Sequence, residues 1–339
     1  MGKSTQTLLI AVFLLAAAVL PALFASGYEM FQLTMVVVYA VAILGLNLVS
    51  GYNGQVSLGH GAFYAVGAYV TAILMDKYDV PYWATLPASA IICAGFGFLL
   101  GLPALRLGGL YLALTTFALA VAVPQLLKYN LFEPWTGGVQ GIVIMKPEPP
   151  FGTAFWARFM PEKVVADYWI YLFCLLVGAV MFWLAANLVR GRIGRAMKAI
   201  RDHQTAAEAM GIDLAMFKTR TFAASAMFTG IAGSLGAIVV QFVAPDSFTV
   251  FLSITLFVGF VVGGAASIAG PIFGGISVQF VPNIADQLSK AAPGAVYGVI
   301  LIVMMFVMPG GVAGFLKARL RPLLARPAAP APARPRTAI

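Results

Sequence analysis

Four polar side chains stand close together in a chain that is otherwise mostly apolar. Asn53, Gln55, Ser57 and His60 lie in GYNGQVSLGHG, at the mouth of an apolar run. Polar groups at bilayer depth need hydrogen-bonding partners or a watery cavity. These four could therefore line a pathway for a polar solute, or they could form a satisfied, helix-breaking turn.

Two threonines offer a second, weaker site. Thr115 and Thr116 lie in the run from Tyr111 to Phe117, where their hydroxyls could hydrogen-bond a zwitterionic or amide solute. Threonine hydroxyls in helices often bond back to their own backbone instead. Both interpretations stay open for this pair.

A charged segment interrupts the apolar pattern near the middle of the chain. It reads GRAMKAIRDHQTAAEAMGID, Gly194 to Asp213. On a single helix its polar positions would share one side: Lys198, Arg201, Asp202, Thr205 and Glu208. Its apolar positions would share the other: Ala196, Ile200, Ala207 and Met210. Such a helix could pair Lys198 with Asp202, and its polar face fits either a solvated loop or a docking surface for a partner protein.

Catalytic motifs are missing from the sequence. GxxxxGK[ST], HExxH and GxSxG do not occur, and His60 and His203 are the two histidines. Cys93 and Cys174 lie in apolar runs and are expected to be core residues. Within the spans, no Asp, Glu or Arg stands out as a proton or sodium relay. We therefore expect no enzyme, no metal site and no cofactor on this chain.

Composition indicates a polytopic membrane protein. Apolar residues make up 61% of the 339 residues and charged residues 10%, against about 25% charged in average soluble domains. The expected fold is all-α, a transmembrane helical bundle of about eight to ten spans. The net charge of +9 is better explained by membrane topology and anionic lipid than by nucleic acid.

Ten apolar segments are candidate spans. They cover roughly 7–26, 31–50, 56–75, 82–104, 109–127, 167–188, 219–241, 250–269, 271–288 and 294–314. The third follows GYNGQVSLGHG, and the ninth contains GPIFGG and Pro282, so either could be broken or re-entrant. Glycine pairs four apart, such as Gly97 with Gly101, predict close helix packing.

Basic residues predict the orientation. Fifteen of the 21 Lys and Arg residues fall on one side if the N-terminus is cytoplasmic, which the positive-inside rule favours. Both termini and a loop at about 190–216 would then be cytoplasmic, and a loop at about 129–166 would be external. A membrane domain would cover 1–316, and a basic, Pro- and Ala-rich tail, 317–339, would be disordered and free to touch lipid.

Several segments together resemble one transporter family. They are GLNLVSGYNGQVSLGHGAFYAVGAYV, GLYLALTTFALA, the TGG at Thr136 to Gly138, the charged segment, VVGGAASIAGPIFGG and YGVILIVMMFVMPGGVAG. They resemble, in order from about Gly45 to Gly314, the permease subunits of bacterial branched-chain amino acid ABC transporters of the LivM type.

The resemblance implies a subunit of an inner-membrane importer. Its partners would be a LivH-like second permease, or another copy of this chain, two cytoplasmic ATPases that bind ATP and Mg, and a periplasmic binding protein. The charged segment would form a short helix that docks on an ATPase. The residues implied in that coupling are Arg201, Asp202, Thr205, Ala206, Ala207, Glu208 and Gly211, the glycine ending the helix in a left-handed turn.

Three other functions compete with the import of branched-chain amino acids. The same machine could carry urea, short amides or aromatic acids, because substrate choice rests largely with the binding protein. A self-sufficient ion-coupled carrier would need uptake by this chain alone, and the lack of intramembrane carboxylates disfavours it. A membrane-embedded enzyme would need a catalytic set that the sequence does not display.

Overall fold

A computed structural model describes residues 16–19, 21, 26–104, 109–149, 165–288, 290 and 293–324, and all structural statements below concern them. The helices are α1 Gly27–Leu46, α2 His60–Tyr78, α3 Tyr82–Ala104, α4 Leu110–Leu127, α5 Glu133–Thr136, α6 Val165–Arg190, α7 Arg192–Asp202, α8 Gln204–Ala209, α9 Leu214–Val240, α10 Val250–Gly263, α11 Gly270–Leu288, α12 Pro293–Val307 and α13 Gly311–Leu324. The strands are β1 Ile142–Val143 and β2 Phe242–Val243.

The bundle is helical and has the lengths that a membrane requires. Six helical stretches of the described chain are long and apolar enough to cross a bilayer, and α4 is a shorter apolar helix. The helical membrane bundle expected from composition is therefore confirmed. The first predicted span, 7–26, lies mostly outside the described residues.

Two helices form the centre of the bundle. A π-helical turn at Asn47–Tyr52 extends α1. In this extended helix and in α9, 78% of the residues in the most apolar stretch are buried. Ser26 begins α1 with a capping box, accepting a hydrogen bond from the Glu29 amide while the Glu29 carboxylate accepts one from Ser26 N–H. Peripheral α12 is only slightly buried, as expected for a helix that faces lipid or a partner.

Glycines allow these helices to pack backbone to backbone. Gly67 of α2 lies against the backbone of Gly230 in α9, where an added Cβ would collide with the facing carbonyl. Gly97 and Gly101 of α3 likewise lie against α9, beside Ala226 and Thr219. The close packing predicted from the glycine spacing is confirmed.

The two doubtful spans differ from each other in the structure. The third predicted span, 56–75, corresponds to α2, which does not begin until His60. Residues 53–59 are irregular backbone, so this span is partly non-helical. The ninth, α11, is continuous, and Pro282 lies inside it, so the suggested break there is wrong. Pro271 fits the first turn of α11, where a proline N–H would lack an intrahelical partner in any case.

A small cap covers one end of the bundle. The cap consists of residues 128–149 and 241–249, in which β1 and β2 pair antiparallel. Two ion pairs lie on it, with Lys128 Nζ 2.5 Å from Asp246 Oδ1 and Lys146 Nζ 2.6 Å from Asp167 Oδ1. The described part of the loop predicted at 129–166 thus folds over the helix ends.

The boundary of the predicted tail needs correction. The last helix, α13, runs to Leu324, through positions that the sequence analysis placed in a disordered tail from 317. The residues there include Lys317, Arg319 and Leu320, which are good helix formers, and Arg319 lies 5.5 Å from the ring of Phe315. Residues 325–339 lie outside the described chain.

Candidate functional site

The charged segment, Gly194 to Asp213, folds as parts of two helices rather than one. His203 separates α7 from α8 with extended backbone, at φ −159° and ψ 105°. Its ring Nδ1 accepts a hydrogen bond from the Ala206 amide, which caps the start of α8. The single-helix interpretation of this segment is therefore wrong, although Thr205 and Glu208 are exposed and Ala207 is buried as that interpretation expected.

Gly211 ends α8 in the left-handed turn that the sequence analysis expects. Its φ is +82°, its N–H donates to the Glu208 carbonyl, and the Ile212 N–H donates to the Ala207 carbonyl. These two bonds define a Schellman motif, which satisfies the last carbonyls of a helix. The chain then restarts at α9, where the Asp213 side chain accepts from the Met216 amide.

The short helix α8 presents an exposed face at the tip of the segment. Thr205, Ala206 and Glu208 are exposed, whereas Ala207 is 3% exposed and packs inward. Met210 was expected on the packed side but is 83% exposed. Met210 is the C-cap residue of α8, where the helix ends, and it joins the residues that a partner could contact.

Arg201 is partly exposed, but its guanidinium also reaches the backbone of the GYNGQVSLGHG segment. Its Nη1 donates to the Gly51 carbonyl at 3.1 Å, and its Nε and Nη2 donate to Asp202 Oδ1. Gly54 lies directly beneath it, with φ +74°, and a Cβ at Gly54 would lie 2.8 Å from Arg201 Cγ. The charged segment and the GYNGQVSLGHG segment, which the sequence analysis treated separately, are therefore in contact.

The expected pair of Lys198 with Asp202 does not form. The Asp202 carboxylate binds Arg201, and Lys198 Nζ lies 5.7 Å from the centroid of the Tyr52 ring. A cation over an aromatic ring contributes about 0.5–1 kcal/mol at exposed sites. Lys198 thus provides a second link between α7 and the end of α1.

Ser57 and His60 belong to a closed hydrogen-bond chain. Ser225 Oγ donates to the Gly45 carbonyl at 2.6 Å, so it accepts from His60 Nε2–H, also at 2.6 Å. His60 Nδ1 then accepts from Ser57 Oγ at 3.0 Å. Every member is buried and has a partner, which favours the satisfied turn over a solute-binding role for these two residues.

The two threonines have different surroundings. Thr116 is buried; its hydroxyl donates to the Ala113 carbonyl and accepts from the Leu58 amide at 2.9 Å, which fixes the irregular segment against α4. Thr115 is exposed and donates to the Tyr111 carbonyl of its own helix. Thr116 thus positions the segment, and Thr115 faces away from it.

Asn53 and Gln55 carry the unsatisfied polar atoms of this region. Both atoms of the Asn53 amide and Oε1 of Gln55 are buried, and none has a hydrogen-bond partner within the part of the chain that is described. A buried polar atom without a partner costs about 1–3 kcal/mol. These two residues, rather than Ser57 and His60, are the ones available to a solute or to water.

Asn47 is a structural residue that the sequence analysis missed. Its Nδ2 donates to the Ser267 carbonyl at 2.8 Å, and its Oδ1 accepts from the Ala266 amide at 2.9 Å. It thereby fastens the turn between α10 and α11 to the end of α1. The sequence did carry a signal for this role, because Asn47 is a polar residue inside an otherwise apolar span.

Comparison with known proteins assigns the chain to a family. A family model described as "Branched-chain amino acid transport system / permease component" matches residues 30–308. The chain belongs to this permease family. It is 32% identical to the LivM permease protein of Salmonella typhimurium, over 85% of this chain and 70% of that one. It is 31% identical to LivM of Escherichia coli, over 94% and 78%.

More distant relatives and structures complete the comparison. The permease is 24% identical to LivH of Escherichia coli, over 81% of this chain and 91% of that protein. No solved structure matches it. The family match includes the whole charged segment, the irregular residues 53–59 and the cap.

Proposed function

We propose that this permease is a membrane subunit of an ABC importer that moves branched-chain amino acids across the bacterial inner membrane. ATP hydrolysis in partner subunits would drive the import, and ATP and Mg would bind there rather than on this chain. The relatives are named as high-affinity branched-chain amino acid transport permeases, and nearly the full chain matches them. This permease would itself carry out no covalent chemistry.

The observation that carries the proposal is the exposed helix α8. A helix of six residues gains too little from its own hydrogen bonds to be stable alone, yet here it is capped at both ends and held out from the bundle. Small Ala206 and exposed Met210 form a surface that a groove on an ATPase could receive. Thr205 and Glu208 lie on the same exposed helix.

Arg201 would transmit force rather than contact the ATPase. Movement of α8 pulls on α7, because one residue, His203, separates them. Arg201 and Lys198 then act on Gly51 and Tyr52, at the end of central helix α1. We assign Asp202 the role of orienting the Arg201 guanidinium.

The remaining partners are a second permease and a binding protein. Similarity to both LivM and LivH relatives supports pairing with a related, LivH-like chain across a pseudo-twofold axis. A periplasmic binding protein would deliver the solute to the cap. The basic charged segment supports an orientation with this segment and both termini in the cytoplasm.

Uptake in a deletion strain tests the proposal. Cells lacking the gene, with and without a plasmid copy, are assayed for labelled leucine, urea and benzoate. We expect loss of leucine uptake alone, restored by the plasmid. Loss of urea or benzoate uptake with leucine uptake intact would refute the proposed cargo. Uptake by the purified chain alone under an ion gradient would refute the ABC mechanism.

Co-purification tests the docking surface separately. Glu208→Arg on α8 should reduce recovery of the ATPases with the tagged permease. Glu133→Arg makes the same charge change on the cap and serves as the matched control. Equal ATPase recovery from both variants would show that α8 is not the docking helix.

A further inference from the structure

A cavity of about 120 Å³ lies beneath the cap, between α1, α2, α9 and α10. Its lining is mainly apolar and aromatic, and includes Tyr39, Tyr64, Val240, Phe248 and Leu252. Apolar cavities of about 150 Å³ in other proteins stay dry and admit benzene-sized molecules. This cavity therefore has the size and the chemistry to take a branched aliphatic side chain.

Two opposite charges lie beside the mouth of the cavity. Ser247 is exposed and lines the cavity, and Asp246 directly precedes it in the chain. Asp246 forms an ion pair with Lys128. The Asp246 side chain is 65% exposed, and an ion pair this open to solvent costs little to separate. An α-amino acid carries the complementary pair, with an ammonium for Asp246 and a carboxylate for Lys128.

A buried tyrosine hydroxyl next to these groups also lacks a partner. Tyr69 is 3% exposed, and its ring lies 6.0 Å from that of Phe248, which lines the cavity. No hydrogen bond to its hydroxyl is made by the described residues. An O–H in this state can donate to a carboxylate that enters from the cap.

We propose that this cavity is a transit site for branched-chain α-amino acids within this single chain. The aliphatic side chain would enter between Phe248 and Leu252, while Lys128 and Asp246 hold the carboxylate and the ammonium. The proposal rests on the proposed function for the direction of transport and the class of cargo. It goes further in assigning residues that select a zwitterion with an aliphatic side chain over urea, which has neither.

Cysteine protection tests the site directly. Ser247→Cys is labelled with a membrane-impermeant maleimide in vesicles that contain the assembled transporter without its binding protein. Background labelling should be low, because Cys93 and Cys174 are buried. We expect saturating leucine to slow labelling about fivefold, and 4-methylpentanoate, which lacks the ammonium, to have no effect.

A neighbouring position provides the matched control. Thr249, two residues later, is also exposed and does not line the cavity, and it makes no capping hydrogen bond that Thr249→Cys would remove. Labelling of Thr249→Cys should be independent of leucine. Protection at both positions, or at neither, would overturn the proposal.

Transport selectivity gives a second test that does not depend on labelling. Leu252→Ala enlarges the cavity and should raise phenylalanine uptake relative to valine by about fourfold, the worth of one buried methylene. Phe251→Ala on the same helix faces outward, with Phe251 76% exposed, and should leave the ratio unchanged. If the wild type imports leucine and both variants keep its ratio of phenylalanine to valine uptake, the transit site is refuted and the proposed function stands. If the wild type imports urea instead of leucine, the transit site and the proposed function are both refuted.

Discussion

The contact of Arg201 with Gly51 and Gly54 gives the sharpest test of how the charged segment acts. Arg201→Ala removes a hydrogen bond from a charged donor to the Gly51 carbonyl, a type worth about 1.5–3 kcal/mol when well shielded. The Arg201 side chain is 35% exposed, so solvent screening reduces this to about 1–1.5 kcal/mol. A contact of that size corresponds to a factor of about five to ten in an equilibrium.

The expected phenotype separates transmission from docking. In proteoliposomes, Arg201→Ala should lower leucine uptake per ATP hydrolysed by about five- to tenfold. The reason is that the free energy of this contact limits how strongly α7 can shift the conformational equilibrium of α1. Recovery of the ATPases with the tagged permease should stay unchanged. Loss of ATPase recovery in parallel with uptake would instead show that Arg201 contacts the ATPase directly, and the transmission argument would be wrong.

Gly54→Ala completes a double-mutant cycle. Alanine at φ +74° costs about 1–2 kcal/mol on its own, and its Cβ also crowds Arg201 Cγ at 2.8 Å, which adds about 1 kcal/mol. In the Arg201→Ala background the Cγ is absent, so the closest contact is relieved, although Cα and Cβ of residue 201 still lie 3.3 Å from the added Cβ. The two changes measured by thermal unfolding should therefore be less than additive by about 1 kcal/mol, and strict additivity would refute the contact.

Four further predictions follow from single positions. Asn47→Ala should lower the melting temperature in detergent, since it removes two buried hydrogen bonds worth about 2 kcal/mol together. Ala266→Gly should raise it slightly, because Ala266 has φ +55° and relief of that strain is worth about 1 kcal/mol; a lower melting temperature would contradict this. Met210→Asp should reduce ATPase recovery, whereas Met216→Asp, at 39% exposure on α9, should not. Gly67→Val should abolish accumulation of the folded protein, as judged by fluorescence size exclusion, because its side chain would enter the backbone of α9.

Helices and their close packing were predictable because they depend on local composition. Apolar runs of about 20 residues require helices in lipid, and glycines spaced by four mark where those helices can approach. The family resemblance came from short segments that occur in the same order along the chain as in the family, and the comparisons confirm it. Gly211 was predictable for the same local reason, since a left-handed residue after an alanine-rich helix is most often glycine.

The break in the charged segment was not predictable from periodicity. The chain leaves the helix at His203, Met210 at the end of α8 is exposed, and the Asp202 carboxylate binds Arg201 instead of Lys198. Histidine is not a common N-cap residue, and nothing in the local pattern marks it as one. Pro282 led to the expectation of a break that the structure does not have, because helices in membrane proteins can retain an internal proline.

Contacts between distant segments decide which polar residues remain available for function. Asn53, Gln55, Ser57 and His60 look equivalent in sequence, but Ser225 and Gly45, on two other helices, satisfy the histidine and through it the serine. Asn53 and Gln55 receive no such partners among the described residues, and they lie next to the point where Arg201 contacts Gly51. If Arg201 transmits force as proposed, a pull on it would reach the unsatisfied amides before the closed network. The adjustable part of the bundle would then lie in the irregular segment, and the glycine-packed contact of α2 with α9 would be the rigid part.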